Sequence, residues 1–499
     1  MGRSRMTGVS NVADLVRTAA VRGPDHPAFI DAATGDTLSW AEVDAATDVE
    51  AHRLREAGLQ PGDRVAVRLP TSTEFAVAVF GALRAGGVVV PVSTGGPIRE
   101  LTRVLNDSDA SLLIGDGDGV STRTLPAPVL RVDGGLTGES VRGGEDVAVL
   151  AYTSGTSGVP RGAMLSHRAL LANVAQCAAL RPAPVTAADR VLLALPLFHS
   201  YGLGPGLFQV AAAGATAVLL QRFDAEAAVD AIEQHRVTTL VGVPPMYQAL
   251  MHVDAARLRD ALVTVRLLTS GAAPLSPSLL AAVQQATSLP VFEGYGLTET
   301  APVLTSTLVG GQIKPGSVGR PLPGVELRLV DTDGQPFADD EEFVLPDDDA
   351  GLVSVRGENL FSGYWPDGAH GPDAEGWFRT GDVGYLDDEG DLHLVDRAGD
   401  LIIVNGFNVY PHEVEQVIAE LPGVAEAAVV GVPSETTGEA VKAVLVLGQD
   451  AELTAEQVVE HCAERLAKFK VPVTVEFAEV LPHSPTGKLV RSRLRLPQA

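Results

Sequence analysis

Cysteine is scarce in this sequence. Its 499 residues include two cysteines, Cys177 and Cys462, which lie far apart and form no metal-binding or redox motif. A disulfide framework is not indicated. We expect two reduced thiols that pack as small hydrophobic side chains.

Long apolar runs and an excess of positive charge are also missing. No run approaches the ~18 apolar residues that a membrane-spanning helix requires, and the N-terminal MGRSRMTGVS lacks the hydrophobic stretch of a signal peptide. The net charge of -26 disfavours binding to phosphate backbones and anionic lipid. We therefore expect a cytoplasmic protein with no nucleic-acid partner and no integral membrane association.

The composition is that of a globular protein, and the length predicts two or more domains. Short Val/Leu-rich runs that stop at Gly or Pro, such as DRVAVRLP, RVLLALPLF and VRLLTSGAAPL, alternate with helical patterns such as DAEAAVDAIEQH. This alternation predicts an α/β fold.

Two later stretches differ in pattern from the first part. From about 316 to 396, turns separate short alternating strands and helical patterns disappear, which predicts a β-rich subdomain. Helical patterns then return, with Pro411 at a first helical position and Thr454 with Gln457 in a capping box. We predict a large N-terminal domain, residues 1–397, and a small mobile α+β C-terminal domain, residues 398–499.

A loop rich in Gly, Ser and Thr follows the strand-like run DVAVLAY. It reads AYTSGTSGVPRG, and Ser166 just beyond it is placed to cap a helix. Glycine lets backbone amides approach an anion and hydroxyls add donors, so the loop suits a phosphate cradle. A flexible surface loop is the alternative. The P-loop pattern and the nucleophile-elbow pattern are both absent here.

Four further segments decide between these interpretations. They are EGYGLTET from Glu293, WFRTGD ending at Asp382, DRAGDLIIVNGFNVYPHEVE from Asp396, and PTGK ending at Lys488. Together with the glycine loop, and in this order, they resemble the adenylate-forming superfamily of acyl-CoA synthetases, peptide-synthetase adenylation domains and firefly luciferase. The resemblance spans nearly the whole chain and is greatest to fatty acyl-CoA ligases.

The resemblance implies an enzyme that uses ATP and Mg²⁺ to convert a carboxylate to an acyl-adenylate and then passes the acyl group to a thiol, with CoA as co-substrate. Cations and donors must neutralise charge around the α-phosphate during the first step. Arg161 stands where relatives usually carry Lys and would hold the β- and γ-phosphates. Nucleotide contacts are implied for Thr153, Ser154, Gly155, Thr156, Ser157, Gly158, Arg161, Ala272, Ala273, Glu293, Gly294, Tyr295, Gly296, Thr298, Asp382, Arg397 and Lys488.

Catalytic roles are implied for three of these residues and for Glu299. Thr298 would donate to the α-phosphate and Glu299 would ligate Mg²⁺, a hard cation that prefers carboxylate oxygen. Arg397 would lie near the ribose and the phosphates, and Lys488 would contact the carboxylate and the α-phosphate in one domain orientation. Gly399 would be the hinge, with the backbone freedom that rotation needs.

The acyl pocket is assigned by the same resemblance to a group of mostly small residues, namely His199, Gly204, Gly271, Gly296 and Leu297. The segment FHSYGLGPGLFQ carries no aspartate of the kind that pairs the substrate ammonium in amino-acid-activating relatives. A buried unpaired ammonium would be very costly, so a neutral acyl tail is favoured. A fatty acid is the first choice, and an aromatic or branched acid stays open.

The acceptor thiol is open between CoA and an acyl carrier protein. GFNVYP and FKVP resemble fatty acyl-CoA synthetases, whereas a late basic group could bind the CoA 3′-phosphate or dock an acidic carrier protein. That group is Arg465, Lys468, Lys470, Lys488, Arg491, Arg493 and Arg495. A luciferase-like monooxygenase and an inactive nucleotide-binding relative are the remaining alternatives.

Overall fold

The computed structural model describes residues 10–132, 140–153, 160–311, 313–331, 333–336, 350–397, 400–404, 407–434, 436–448, 451–483 and 489–495. Contacts divide the chain into two compact units, Met1–Leu327 with Val355–Phe378, and Arg328–Ser354 with Arg379–Ala499. The domain boundary expected at Arg397 stays a prediction. Within the described ranges, no helix combines the length and the apolar character needed to cross a membrane.

Strands and helices alternate through most of the chain. The strands are β1 (Pro27–Asp31), β2 (Thr37–Ser39), β3 (Arg64–Arg68), β4 (Val88–Pro91), β5 (Ala110–Gly115), β6 (Arg123–Leu125), β7 (Val147–Thr153), β8 (Arg161–Ser166), β9 (Arg190–Leu193), β10 (Thr216–Leu219), β11 (Thr239–Gly242), β12 (Leu267–Ser270), β13 (Val291–Gly296), β14 (Val303–Ser306), β15 (Ser317–Pro321), β16 (Glu326–Val330), β17 (Gly351–Arg356), β18 (Phe378–Leu386), β19 (Leu392–Arg397), β20 (Ile402–Val404), β21 (Phe407–Val409), β22 (Val424–Ser434), β23 (Gly438–Leu447) and β24 (Thr474–Phe477). The α-helices are α1 (Asp14–Arg22), α2 (Trp40–Glu56), α3 (Thr73–Ala85), α4 (Ile98–Asp107), α5 (His167–Ala178), α6 (Gln209–Ala213), α7 (Ala225–His235), α8 (Pro244–Leu250), α9 (Ala255–Ala261), α10 (Pro277–Thr287), α11 (Thr307–Gly310), α12 (Pro411–Ala419) and α13 (Ala455–Arg465).

The first unit contains two sheets. One has the strand order β6-β5-β3-β4-β7-β8 and is parallel except for the pair of β7 with β8. In the other, β1, β10, β9, β11, β12 and β13 form a parallel run that antiparallel β14 and β15 extend. Parallel strands are covered on both faces, which explains the continuous Val/Leu runs in the sequence. The predicted α/β fold is confirmed.

Helix ends follow the expected capping chemistry. The Ser166 hydroxyl accepts a hydrogen bond from the Ala169 amide at 3.1 Å and begins α5. Pro411 is the first residue of α12, and Thr454 with Gln457 forms the predicted capping box of α13.

The second unit holds a small α+β arrangement. Antiparallel β22 and β23 are its longest strands, β20 and β21 continue the sheet, and β24 pairs with β23 in parallel. Helices α12 and α13 bury Val414, Ile418, Val458 and Cys462 in a core with this sheet. In the predicted β-rich stretch, the described residues between 316 and 396 form five strands and no helix.

Both cysteines are buried and neither forms a disulfide. Cys177 lies in α5 and Cys462 in α13. Burial in apolar surroundings raises the pKa of the Cys177 thiol to about 12 and that of Cys462 to about 11. The thiols therefore pack as small hydrophobic groups, as expected.

Candidate active site

Two groups of predicted site residues lie side by side at the carboxyl ends of adjacent parallel strands. Strand β12 enters the LTSGAAPL turn and β13 carries EGYGLTET, with Ser270 paired to Glu293 in the strand register. Ligands of α/β sheets bind at this edge of the sheet. The register thus brings the predicted residues of the 271–273 turn next to those of the 293–298 segment.

Two of the predicted site positions are glycine because a neighbouring backbone carbonyl lies too close to allow a side chain. A Cβ on Gly296 would lie 1.9 Å from the Pro302 carbonyl oxygen, and one on Gly294 would lie 3.2 Å from the Thr305 carbonyl oxygen. Ala272 holds a φ of 66°, a left-handed conformation that costs free energy in residues other than glycine and is concentrated at functional sites. The turn is therefore fixed in an unusual shape beside β13.

Glu293 is a buried carboxyl group. Its Oε2 accepts a hydrogen bond from the Leu275 amide at 3.3 Å, whereas Oε1 has no hydrogen-bond partner among the residues that the structure describes. Burial raises the pKa of Glu293 to about 7, and the hydrogen bond from Leu275 offsets this in part. The side chain therefore ties β13 to the turn, and its predicted nucleotide contact stays a prediction.

Two hydroxyl groups bring the predicted acyl segment, FHSYGLGPGLFQ, into contact with the EGYGLTET motif. Ser200 Oγ lies 3.2 Å from Thr298 Oγ1. His199 precedes this contact, and its Nδ1 accepts a hydrogen bond from the Tyr201 amide at 3.3 Å. That bond fixes the imidazole ring at the start of a helical segment next to Thr298.

Tyr201 is a site residue that the sequence analysis missed. A Cβ on Gly271 would lie 2.9 Å from Tyr201 Cζ, so the ring packs directly over this predicted pocket residue. Burial raises the pKa of the Tyr201 phenol to about 12, which keeps the group neutral. Gly204 is equally close-packed, because its Cβ would lie 2.8 Å from Pro302 Cδ. The available sequence signal was an aromatic residue two positions after the predicted His199.

Glu299 and Arg161 share a neighbour, which is also a residue that the sequence analysis missed. Tyr364 Oη donates a hydrogen bond to Glu299 Oε1 at 2.5 Å, and the Arg161 guanidinium carbon lies 5.6 Å from the centre of the Tyr364 ring. Glu299 is buried. Two residues predicted to act on the phosphates and on the metal are thus joined through one phenol. The signal for Tyr364 was the aromatic run FSGYW, to which no function was given.

The side chains present suit Mg²⁺ held together with a nucleotide. Among the described residues no group of three or more His, Cys, Asp or Glu side chains could hold a metal ion by itself. Mg²⁺ usually takes one or two carboxylates together with substrate phosphates and water, rather than a cage made only of protein ligands. Glu299 is such a carboxylate, and its hydrogen-bond partner Tyr364 is neutral, so its negative charge is not cancelled by that contact.

Two of the predicted nucleotide contacts, Asp382 and Arg397, lie on one hairpin of the second unit. Asp382 on β18 is buried and stands opposite Arg397 on β19 in the strand register. The Asp382 amide donates a hydrogen bond to Thr380 Oγ1 at 3.1 Å. The backbone positions of the predicted pair are therefore adjacent, and the Arg397 side chain lies outside the described part of the structure.

Several predicted residues fall outside the described ranges. Strand β7 ends at Thr153 and β8 begins at Arg161, and these two residues face each other in an antiparallel pair. The residues without a description are Ser154, Gly155, Thr156, Ser157, Gly158, Gly399 and Lys488. Their assigned roles stay predictions.

Most of the late basic residues that the structure describes are held in ion pairs of the second unit. Lys470 Nζ lies 2.8 Å from Glu413 Oε1, and Arg465 Nε lies 3.2 Å from Glu420 Oε2. Arg491 pairs with Glu415, and Arg495 with Asp400. The positive charge of the proposed docking patch is therefore partly neutralised by local acidic residues.

Similarity to known proteins extends over nearly the whole chain. Residues 16–365 match the family described as AMP-binding enzyme, and residues 413–488 match the AMP-binding enzyme C-terminal domain. A long-chain-fatty-acid–CoA ligase of Escherichia coli O6:H1 is 34% identical, over 97% of this chain and 94% of that protein. A feruloyl-CoA synthase of an Amycolatopsis species is 36% identical, over 92% of this chain and 94% of that protein.

A solved structure shares both the fold and the sequence. The crystal structure of ATP-bound MatB from Rhodopseudomonas palustris has a TM-score of 0.86 and 33% identity, over 97% of this chain and 98% of that chain. The predicted family, its fold and an enzyme of the AMP-forming ligase type are confirmed. The chain belongs to the family of AMP-binding enzymes.

Proposed function

We propose that this enzyme joins a carboxylic acid to CoA in two steps at the expense of ATP. A carboxylate oxygen attacks the α-phosphorus of ATP, and pyrophosphate leaves. The thiol sulfur then attacks the acyl carbon, and AMP leaves as the thioester forms. The observation that carries this proposal is the contact of 3.2 Å between Ser200 Oγ and Thr298 Oγ1, because it sets the acyl segment beside the phosphate motif.

The side chains of the site supply the parts that the first step needs. The Thr298 hydroxyl donates to the α-phosphate, where negative charge develops, and Arg161 holds the outer phosphates. Glu299 would hold Mg²⁺, which would neutralise part of the negative charge of the nucleotide phosphates. Asp382, Arg397 and Lys488 keep the roles that the family resemblance gives them.

A fatty acid is the substrate that we favour. The segment from Phe198 to Gln209 carries no acidic residue to pair an ammonium group, and the Tyr201 ring against Gly271 gives the predicted pocket a neutral wall. Relatives named for long-chain fatty acids and for ferulate support a neutral acyl tail. We also propose a cytoplasmic location, which the two unpaired cysteines support.

The test is a panel of acids assayed for pyrophosphate release, with each acid supplied with CoA and, separately, with a phosphopantetheinylated carrier protein. We expect acyl-CoA from aliphatic acids, slow reaction with α-amino acids, and less product with the carrier protein. Light emission or acyl-dependent oxygen uptake would support a luciferase-like activity instead. An α-amino acid as the best substrate would contradict the argument from the pocket.

A further inference from the structure

We propose that Tyr364 is a positioning residue that holds Glu299 and Arg161 apart in the arrangement that binds magnesium and phosphate. The inference rests on the proposed function and adds to it a residue to which that function gives no role. It is carried by two contacts of one side chain, the hydrogen bond of 2.5 Å to Glu299 and the cation–π contact of 5.6 Å with Arg161.

The backbone around Tyr364 is tied to both partners. Trp365 donates to the Gly162 carbonyl at 2.8 Å and Met164 donates to the Gly363 carbonyl at 3.0 Å, so this segment pairs with β8 directly after Arg161. On the other side, the Phe361 amide donates to the Glu299 carbonyl at 2.9 Å. Tyr364 is therefore anchored between the strand that carries the cation and the turn that carries the carboxylate.

The orientation of the ring is also fixed. The rings of Phe361 and Tyr364 meet edge to face, with centres 5.1 Å apart and planes at 76°. This leaves the Tyr364 hydroxyl directed at the carboxylate while the Arg161 guanidinium lies over the ring face. The position of the hydroxyl is thus determined by packing as well as by the hydrogen bond.

A phenol can lie between two opposite charges without neutralising either of them. A phenol donates to a carboxylate without cancelling its charge, and the resulting bond is short and charge-assisted. If an arginine contacted Glu299 directly, the two side chains would form a salt bridge. Each would then bind its own ligand, the phosphates or the metal ion, less tightly. With Tyr364 present, the cation contacts the ring and the carboxylate contacts the hydroxyl, so both charges stay available to a magnesium–nucleotide complex.

Two variants separate the two contacts of Tyr364. Tyr364→Phe removes the hydroxyl and keeps the ring, whereas Tyr364→Leu removes both contacts. The measurement is ATP affinity by titration calorimetry, first without metal and then across a Mg²⁺ series. Because one charge-assisted hydrogen bond is lost, we expect Tyr364→Phe to raise the half-saturating Mg²⁺ concentration about tenfold, with unchanged affinity for metal-free ATP. Tyr364→Leu should weaken metal-free ATP binding as well.

A matched control distinguishes a local effect from a general loss of packing. Ser140→Ala removes a hydroxyl–carboxylate hydrogen bond outside the predicted nucleotide motifs, from Ser140 Oγ to Asp14 Oδ1 at 2.8 Å, and we expect it to leave the Mg²⁺ dependence unchanged. Adding Tyr364→Phe to Glu299→Gln should shift the Mg²⁺ dependence no further than Glu299→Gln does alone, because the phenol acts through that carboxylate. Thermal unfolding of each variant shows whether it is folded.

The proposal is overturned if Tyr364→Phe binds Mg²⁺ and ATP as the unmodified enzyme does. It is equally overturned if Ser140→Ala shifts the Mg²⁺ dependence as far, or if the two changes in the double variant are additive. These titrations contain no acid and no acceptor. If the proposed function is wrong, no acid will yield a thioester in the acid panel, and that result is independent of these binding titrations.

Discussion

The raised pKa of Glu293 predicts that this residue destabilises the protein at neutral pH. Its pKa in the folded chain is about 7, against 4.5 for an exposed glutamate. Between these values the folded state keeps a proton that the unfolded state has released, so stability falls as the pH rises through this window and stays lower above it. With ~1.4 kcal/mol for each pH unit, the full cost is ~3 kcal/mol.

Glu293→Gln removes this titration while keeping the shape of the side chain. The amide oxygen can accept the Leu275 hydrogen bond that Glu293 Oε2 now accepts. We expect the free energy of unfolding of the variant, relative to the unmodified protein, to rise by ~2 to 3 kcal/mol between pH 5 and pH 8. Urea unfolding curves at both pH values measure this difference.

The control for this measurement is Glu233→Gln, which changes an exposed glutamate on α7. It should follow the unmodified protein at both pH values. A difference for Glu293→Gln that is equal at pH 5 and pH 8 would refute the reasoning, because it would mean that the carboxyl group binds its proton equally in the folded and the unfolded chain over this range.

Three further predictions concern the reaction. Gly271→Ala places a Cβ 2.9 Å from the Tyr201 ring and should shift preference to shorter acids, by about fourfold in kcat/KM for each methylene that no longer fits; an unchanged chain-length profile would remove Gly271 from the pocket. Lys488→Ala should slow pyrophosphate release by ~10²-fold or more while transfer from a synthetic acyl-adenylate stays nearly intact, and an equal loss in both steps would contradict its assigned role. Gly399→Pro, which restricts φ, should spare adenylate formation and reduce thioester formation; equal loss in both half-reactions would place the hinge elsewhere.

Local chemistry made much of the fold predictable. Strands β3 and β11 are short, largely apolar and buried, and each run stops close to a proline or a glycine. A parallel sheet that is covered on both faces needs such apolar strands. The caps at Ser166 and Thr454 depend on residues within three positions along the chain. Such features need no knowledge of the tertiary fold.

The parts that were missed depend on contacts between distant residues. The segment Gly202–Phe208 forms a π-helix that includes Pro205, although its glycines and proline disfavour helix in isolation. Burial on several sides of this segment overrides that propensity. Tyr364 reaches Glu299 across 65 positions of sequence, and nothing in the FSGYW run itself indicates which carboxylate lies opposite.

The burial of both cysteines also affects an enzyme that makes thioesters. An acyl-adenylate reacts with any accessible thiolate, so a surface cysteine would compete with the acceptor and acylate the protein itself. Cys177 is 6% exposed and Cys462 is 0% exposed, and their raised pKa values leave almost no thiolate at neutral pH. The catalyst is therefore protected from its own intermediate, and thiol reagents can follow consumption of the acceptor without interference from the folded enzyme.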